Sequence, residues 1–337
     1  VVSLPAGPWA SAHGPLPGTR PDHALDLVLG ELGDGHVPFL PQLPERGVGA
    51  DAVGRSASFL VDLPVDLQPS GWRLVDRPGR DLARGRSWWG QDLDALAERG
   101  EEVGRAQAFA VGVMGPWTLA ASLQRQRGEV AVSDPGARRD VVSSLAEGLA
   151  DVLAAVRRAA SGVDLVLVLD EPSLPSVLLG RVPTASGYDT LRAVPPNEVR
   201  DGLRLVVEAA HAADAAVLLR CHAEESPVSL LAESGADGLG VHVPATASGS
   251  NAPAWERLAA LVEQERTLLL APTGGGSAAD AEQLASLVTG PWSQVGMDHE
   301  LLRFLSLGAQ PAEPNRGLQR EDLARAARAA ELLRERV

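Results

Sequence analysis

The sequence predicts an α/β fold, a single (β/α)8 TIM barrel of parallel strands, on three observations. Short apolar runs alternate with helical stretches along nearly the whole chain. About eight such units can be counted, enough to close a barrel through right-handed crossovers. No Gly-x-Gly-x-x-Gly follows the first strand, so an open doubly wound sheet is only the alternative. With 337 residues the chain fits one barrel with insertions, residues 1–337 as one domain, although a division into two stays open.

Residues 1–21 are rich in proline and glycine and read as an extended opening and a loop, with Ser11-Ala12-His13-Gly14-Pro15-Leu16-Pro17-Gly18 the most compact part. Asp22 opens a helix over 22–32, Pro38, Pro41 and Pro44 mark a connection, and 49–60 is a second helical stretch. The next strand is expected at 61–67. A helix over 81–102 follows, with Trp88 and Trp89 packing against the sheet. Residues 108–113 read as a strand ended by Met114-Gly115-Pro116-Trp117-Thr118, and in helix 134–160 Leu145, Leu149, Val152 and Val156 trace one apolar stripe.

Val166-Leu167-Val168-Leu169 has no polar interruption, the mark of a strand buried on both faces, and it ends abruptly in Asp170-Glu171-Pro172. Helix 197–212 then precedes strand 216–219 and Arg220-Cys221-His222. Helix 227–234 precedes strand 238–243, which carries His242. Helix 254–264 precedes strand 267–271, which runs into Pro272-Thr273-Gly274-Gly275-Gly276. Helix 279–288, strand 301–307 and helix 320–336 complete the alternation.

Composition excludes several functions. The formal charge is −14, and all 30 basic residues are arginine, which argues against a nucleic-acid partner. Arg138-Arg139 and Arg157-Arg158 read as solvated helix faces. Apolar residues make up 45%, enough for a sizeable core. No apolar run approaches the roughly 18 to 20 residues that cross a bilayer, so no membrane partner and a cytoplasmic location are expected. Cys221 is the single cysteine, which excludes a disulfide framework within the chain and a multi-cysteine zinc site.

In a barrel the functional face is the carboxyl end of the strands. Those ends carry Asp170 and Glu171, Arg220, Cys221 and His222, His242, and Thr273 with its glycines. Strand alternation turns Arg220 and His222 the same way and Cys221 the other. Each residue also has a structural reading. Asp170 and Glu171 can serve a helix start, the histidines can be satisfied core residues, and the glycines can form a plain turn.

Gly115-Pro116-Trp117-Thr118, Leu169-Asp170-Glu171-Pro172-Ser173-Leu174 and Ser234-Gly235-Ala236-Asp237 together resemble the catalytic barrel of cobalamin-independent methionine synthase, over most of the chain from about residue 8. The resemblance implies a methyltransferase that moves a methyl group from a methylated folate to the sulfur of homocysteine, with zinc favouring the thiolate. It implies Asp170 as the anchor of the amino group, supported by Glu171, and His13-Gly14-Pro15 as the loop at the substrate carboxylate, with Pro15 where a serine is usual. The metal positions fall on Arg220, His222 and His242, with no cysteine after Cys221. His222 and His242 are then the catalytic and metal-binding candidates, lacking a third ligand. If zinc is lost, Arg220, His222 and His242 suit an anion, and the protein is a non-catalytic or divergent relative that binds an amino acid or an anionic small molecule. The uroporphyrinogen decarboxylase branch of the superfamily lacks support, because no arginine cluster stands near the N-terminus.

Overall fold

The apolar runs become parallel strands because each is screened from water on both faces. The computed structural model describes residues 2–222, 226–272, 280–311 and 316–337. Its strands are β1 (Ala10–Ser11), β2 (Val65–Gln68), β3 (Gly71–Leu74), β4 (Ala108–Met114), β5 (Asp164–Asp170), β6 (Ala215–Cys221), β7 (Gly238–Val243), β8 (Thr267–Pro272) and β9 (Leu305–Gly308). Seven of them form one parallel sheet in the order β1, β9, β8, β7, β6, β5, β4. Every residue of β4 is buried, as is every residue of β5 after Asp164. Helices cover the outer face, and the expected stripe of Leu145, Leu149, Val152 and Val156 on helix Pro135–Ala159 is buried against it.

The gap between β1 and β4 is closed by residues 37–40. Val37 N–H donates to the Ala10 carbonyl at 3.0 Å, and Leu40 N–H donates to the Ala110 carbonyl at 2.9 Å. Ala110 N–H in turn donates to the Pro38 carbonyl at 2.8 Å, which sets Phe39 opposite Ala110 in parallel register. The ring therefore has eight positions and the fold is an α/β barrel, with the strand-to-helix alternation expected of it.

The second barrel position is a correction. It was expected at 61–67, but β2 pairs antiparallel with β3 in a separate hairpin. The true position lies in the proline-rich connection, where Pro38 has no N–H to give and joins the ladder through its carbonyl alone. Trp88 and Trp89 also differ from expectation. Trp89 meets Phe59 edge-on at 4.9 Å, and Trp88 Nε1 donates to the Val48 carbonyl at 3.2 Å, so both pack on residues 46–59.

Other elements shift at their ends. The stretch 49–60 shortens to helix Ala52–Ala57, whose cap Asp51 accepts from Gly54 N–H. The last strand begins only at Leu305, after a 3-10 turn over His299–Phe304. Thr273 to Gly276 lie outside the described residues.

Candidate functional site

Parallel register brings the strand ends to one level, so Met114 stands opposite Asp170 and Asp170 opposite Arg220. Above them lies a cavity of about 330 Å³. Its polar wall includes His13, Gln42, Asp170, Arg220, His222 and His242. Met114, Pro172 and Leu318 supply apolar wall, and Gln310 and the exposed Arg316 stand near the rim. The expected residues His13, Asp170, Arg220, His222 and His242 are thus brought together, while Cys221 is fully buried outside this wall.

Asp170 and Arg220 form the centre. Arg220 Nε donates to Asp170 Oδ1 at 2.9 Å and Nη2 to Oδ2 at 2.8 Å, while Nη1 donates to the His13 carbonyl at 2.8 Å. Burial works against the Asp170 charge, but the attraction and hydrogen bonds of Arg220 more than offset it and hold the carboxyl below its usual range. The pair cancels its own charge. An ammonium group meeting Asp170 must compete with a guanidinium already bound to both oxygens.

The His13 ring projects into the barrel, where only a glycine leaves it room. A Cβ at Gly112 would lie 1.8 Å from His13 Cε1 and Nδ1. Burial first, then Arg220 and Arg55, push the imidazole down to about 3, with Asp170 opposing, so His13 is neutral at physiological pH. Its Nε2 stands 3.6 Å from Asp170 Oδ2, beyond hydrogen-bond reach, and has no hydrogen-bond partner among the described residues.

His222 and His242 stack with ring centroids 4.6 Å apart and planes 25° from parallel. Burial, then Arg220, His242 and His13, hold His222 well below its ordinary value, so it too is neutral. Gln310 Nε2 approaches His222 Nδ1 at 3.3 Å. With the amide donating, the ring proton sits on Nε2, which is buried and has no hydrogen-bond partner among the described residues. The amide nitrogen of Gln42 is likewise buried without a hydrogen-bond partner among the described residues.

Glu171, expected beside Asp170 at the ligand, serves the scaffold. Its Oε1 accepts from Trp117 N–H at 2.9 Å, and its Oε2 accepts from Thr118 N–H at 2.7 Å and Thr118 Oγ1 at 2.6 Å. The carboxylate thereby caps helix Pro116–Ser122 and ties it to β5. Gly115 permits the approach, because a Cβ there would meet Glu171 Oε1 at 2.3 Å. Burial raises this carboxyl to about 7, against the pull of those hydrogen bonds. Two motifs of the methionine synthase resemblance thus meet each other through one side chain.

Zinc, implied by the same resemblance, does not fit the described residues of the cavity. Among the described residues no group of three or more histidine, cysteine, aspartate or glutamate side chains could hold a metal ion. Stacked imidazoles set their in-plane lone pairs side by side instead of converging, and Arg220 beside them repels a cation.

Gln42, Gln310 and Arg55 were not anticipated. A strand-end signal existed for the first two, since Gln42 follows residues 37–40 and Gln310 follows β9, but the former strand had been missed. Arg55, inside a short helix, carries no such signal.

Fold and site together define an α/β barrel with a ligand-sized polar cavity at its carboxyl mouth. No protein-family model matches the chain, and no curated protein matches it. Among solved structures it is similar to the YdhT protein of Bacillus subtilis, at 9% identity over 96% of this chain and 84% of that one, with a TM-score of 0.46. Bacillus subtilis mannanase BCman gives 9% identity, the same coverages and 0.43. A D-allulose 3-epimerase from Methylomonas sp. gives 12% identity over 100% of both chains and 0.38. The barrel assignment rests on the strand ladder and not on these likenesses. No helix among the described residues is long and apolar enough to cross a membrane.

Proposed function

We propose that this protein binds a small, oxygen-rich molecule at the barrel mouth, as a divergent relative of the methionine synthase catalytic barrel that works without a zinc thiolate. One observation carries the reading: His13 Nε2, Gln42 Nε2 and His222 Nε2 are all buried, all without a hydrogen-bond partner among the described residues, and all belong to residues of one cavity wall. A buried polar group without a partner costs on the order of 1–3 kcal/mol, and an acceptor-bearing ligand recovers that cost at each nitrogen. Neutral imidazoles suit the task, since they donate hydrogen bonds without adding charge. They are poor general bases at neutral pH, because their protonated forms are too acidic.

Methyl transfer to homocysteine from a methylated folate is the second reading. It is favoured by the meeting of Glu171 with Trp117 and Thr118, and by Asp170 lining the same cavity as His222 and His242. It requires the substrate ammonium to displace Arg220 from Asp170.

A thermal-shift screen of homocysteine, methionine, small mono- and dicarboxylates and sugar phosphates separates the two. Stabilisation by oxygen-rich ligands that is lost in Gln42→Leu and His222→Phe supports the first reading. Stabilisation by homocysteine alone, with methyl transfer from a methylated folate, replaces it with the second.

A further inference from the structure

We infer that the ligand of the mouth cavity is an oxyanion, a carboxylate or a phosphate ester, and that Arg55, buried behind the cavity, sets this preference. The inference rests on the reading of the mouth as a small-molecule site and adds the charge of what it takes.

Among the described residues, the cluster behind the cavity holds two cations against one anion. Arg220 and Asp170 neutralise one another, and His13 and His222 are uncharged. Glu171, raised by burial to about 7, directs what charge it carries to the helix start at Trp117 and Thr118, whereas the charges acting on Arg55 are Asp92 and Arg46. Behind this layer lies a second cluster of Arg46, Arg55 and Asp92, whose side chains are 2%, 3% and 2% exposed. Arg46 Nη1 stands 2.7 Å from Asp92 Oδ1 and Arg55 Nη1 stands 3.6 Å from Oδ2, both without hydrogen-bond geometry. Two cations thus share one anion. The guanidinium of Arg46 lies 5.2 Å from the Trp88 ring centroid and that of Arg55 lies 5.0 Å from the Trp89 ring centroid, contacts that bring no compensating charge.

A buried cation in excess is costly, and arginine does not escape the cost by losing its proton. Arg55 Nε and Nη2 have no hydrogen-bond partner among the described residues. Its field reaches the cavity, since Arg55 is among the charges that depress His13. It also orders the cavity wall. Arg55 Nη1 donates to the Pro41 carbonyl at 2.9 Å, fixing the peptide that precedes Gln42, while Leu16 N–H holds the Gln42 carbonyl at 2.9 Å. Arg55 is therefore a positioning residue, which aims one donor at the ligand and supplies an uncancelled positive charge in a medium that screens it poorly. Arg316 adds a cation at the rim, but its exposure leaves it screened by water and salt.

The test is calorimetric titration of the full chain with succinate and with its neutral counterpart succinamide, with the His13 and His222 imidazole signals followed by NMR. Wild type is expected to bind succinate about tenfold more tightly than succinamide, the scale of one partly screened charge interaction. Arg55→Met should bring that ratio close to one and raise the His13 pKa, while Arg55→Lys, which keeps the charge, should retain most of the preference. Equal binding of the two probes by wild type, or an unchanged ratio in a folded Arg55→Met protein, overturns the inference. Succinamide binding alone, with both imidazoles perturbed, overturns it and leaves the mouth reading intact. Perturbation of neither imidazole by either probe removes both.

Discussion

Arg220 grips Asp170 through two parallel hydrogen bonds, Nε to Oδ1 at 2.9 Å and Nη2 to Oδ2 at 2.8 Å, across neighbouring strand ends. The sequence resemblance placed a substrate ammonium at Asp170, and the fold places a guanidinium there. Removing one partner leaves the other charge in a site where the Asp170 side chain is 6% exposed and that of Arg220 is 12% exposed. Asp170→Asn is therefore expected to lower unfolding free energy by about 3 kcal/mol, and the double variant Asp170→Leu/Arg220→Met to recover most of that. Urea unfolding of both proteins checks this. A loss below about 1 kcal/mol in the single variant would mean that water already solvates the pair.

Glu171 and His13 give opposing pH dependences. Glu171 has a folded pKa raised from 4.5 to about 7, so between those values the native state holds more protons than the unfolded state and stability falls as pH rises. His13 is lowered from 6.5 to about 3, so across that window the unfolded state holds more protons and stability rises with pH. The two slopes oppose one another from about pH 4.5 to 6.5, and His222 and His36, also held below their ordinary values by burial, add to the rise. Glu171→Gln should remove the opposing slope and steepen the rise by up to about 1.4 kcal/mol per pH unit, measured as urea midpoints across that range. A slope unchanged from wild type would show that Glu171 titrates normally.

Gly112 is the space into which His13 fits. In Gly112→Ala the new Cβ meets the imidazole at 1.8 Å, so the ring must leave its place at a cost of about 1–3 kcal/mol. His13→Ala in the same background should remove most of that penalty. Additive losses in this double-mutant cycle would contradict the packing described.

Much of this architecture is legible in sequence, for reasons visible in particular residues. The run 166–169 announced a strand because it is screened on both faces, and strand alternation sent Arg220 and His222 to the cavity and Cys221 away from it. Residues 37–40 were illegible as a strand because Pro38 reads as a breaker, and the partner of its carbonyl, Ala110 N–H in β4, lies far along the chain. The work of Glu171 was hidden likewise, since Thr118 is 53 positions away. Arg55 follows no spacing rule, and Gln42 follows only the end of the strand that Pro38 disguises. Their importance comes from unpaired atoms, which only packing reveals.

Zinc should be dispensable. The stacked rings of His222 and His242 and the adjacent Arg220 predict that chelator treatment leaves the melting temperature unchanged and that added zinc raises it by no more than a degree. A shift of several degrees at stoichiometric zinc, abolished by His222→Phe, would reinstate a metal centre.

The most direct test of the mouth as a small-molecule site is the dissociation constant of the strongest oxygen-rich ligand from the screen, measured by calorimetry for wild type, Gln42→Leu and His222→Phe. Each variant deletes one of the unpartnered buried nitrogens. Loss of a hydrogen bond worth about 1.4 kcal/mol predicts roughly tenfold weaker binding in each protein. Affinities within about twofold of wild type in both variants would place the ligand elsewhere and contradict the account.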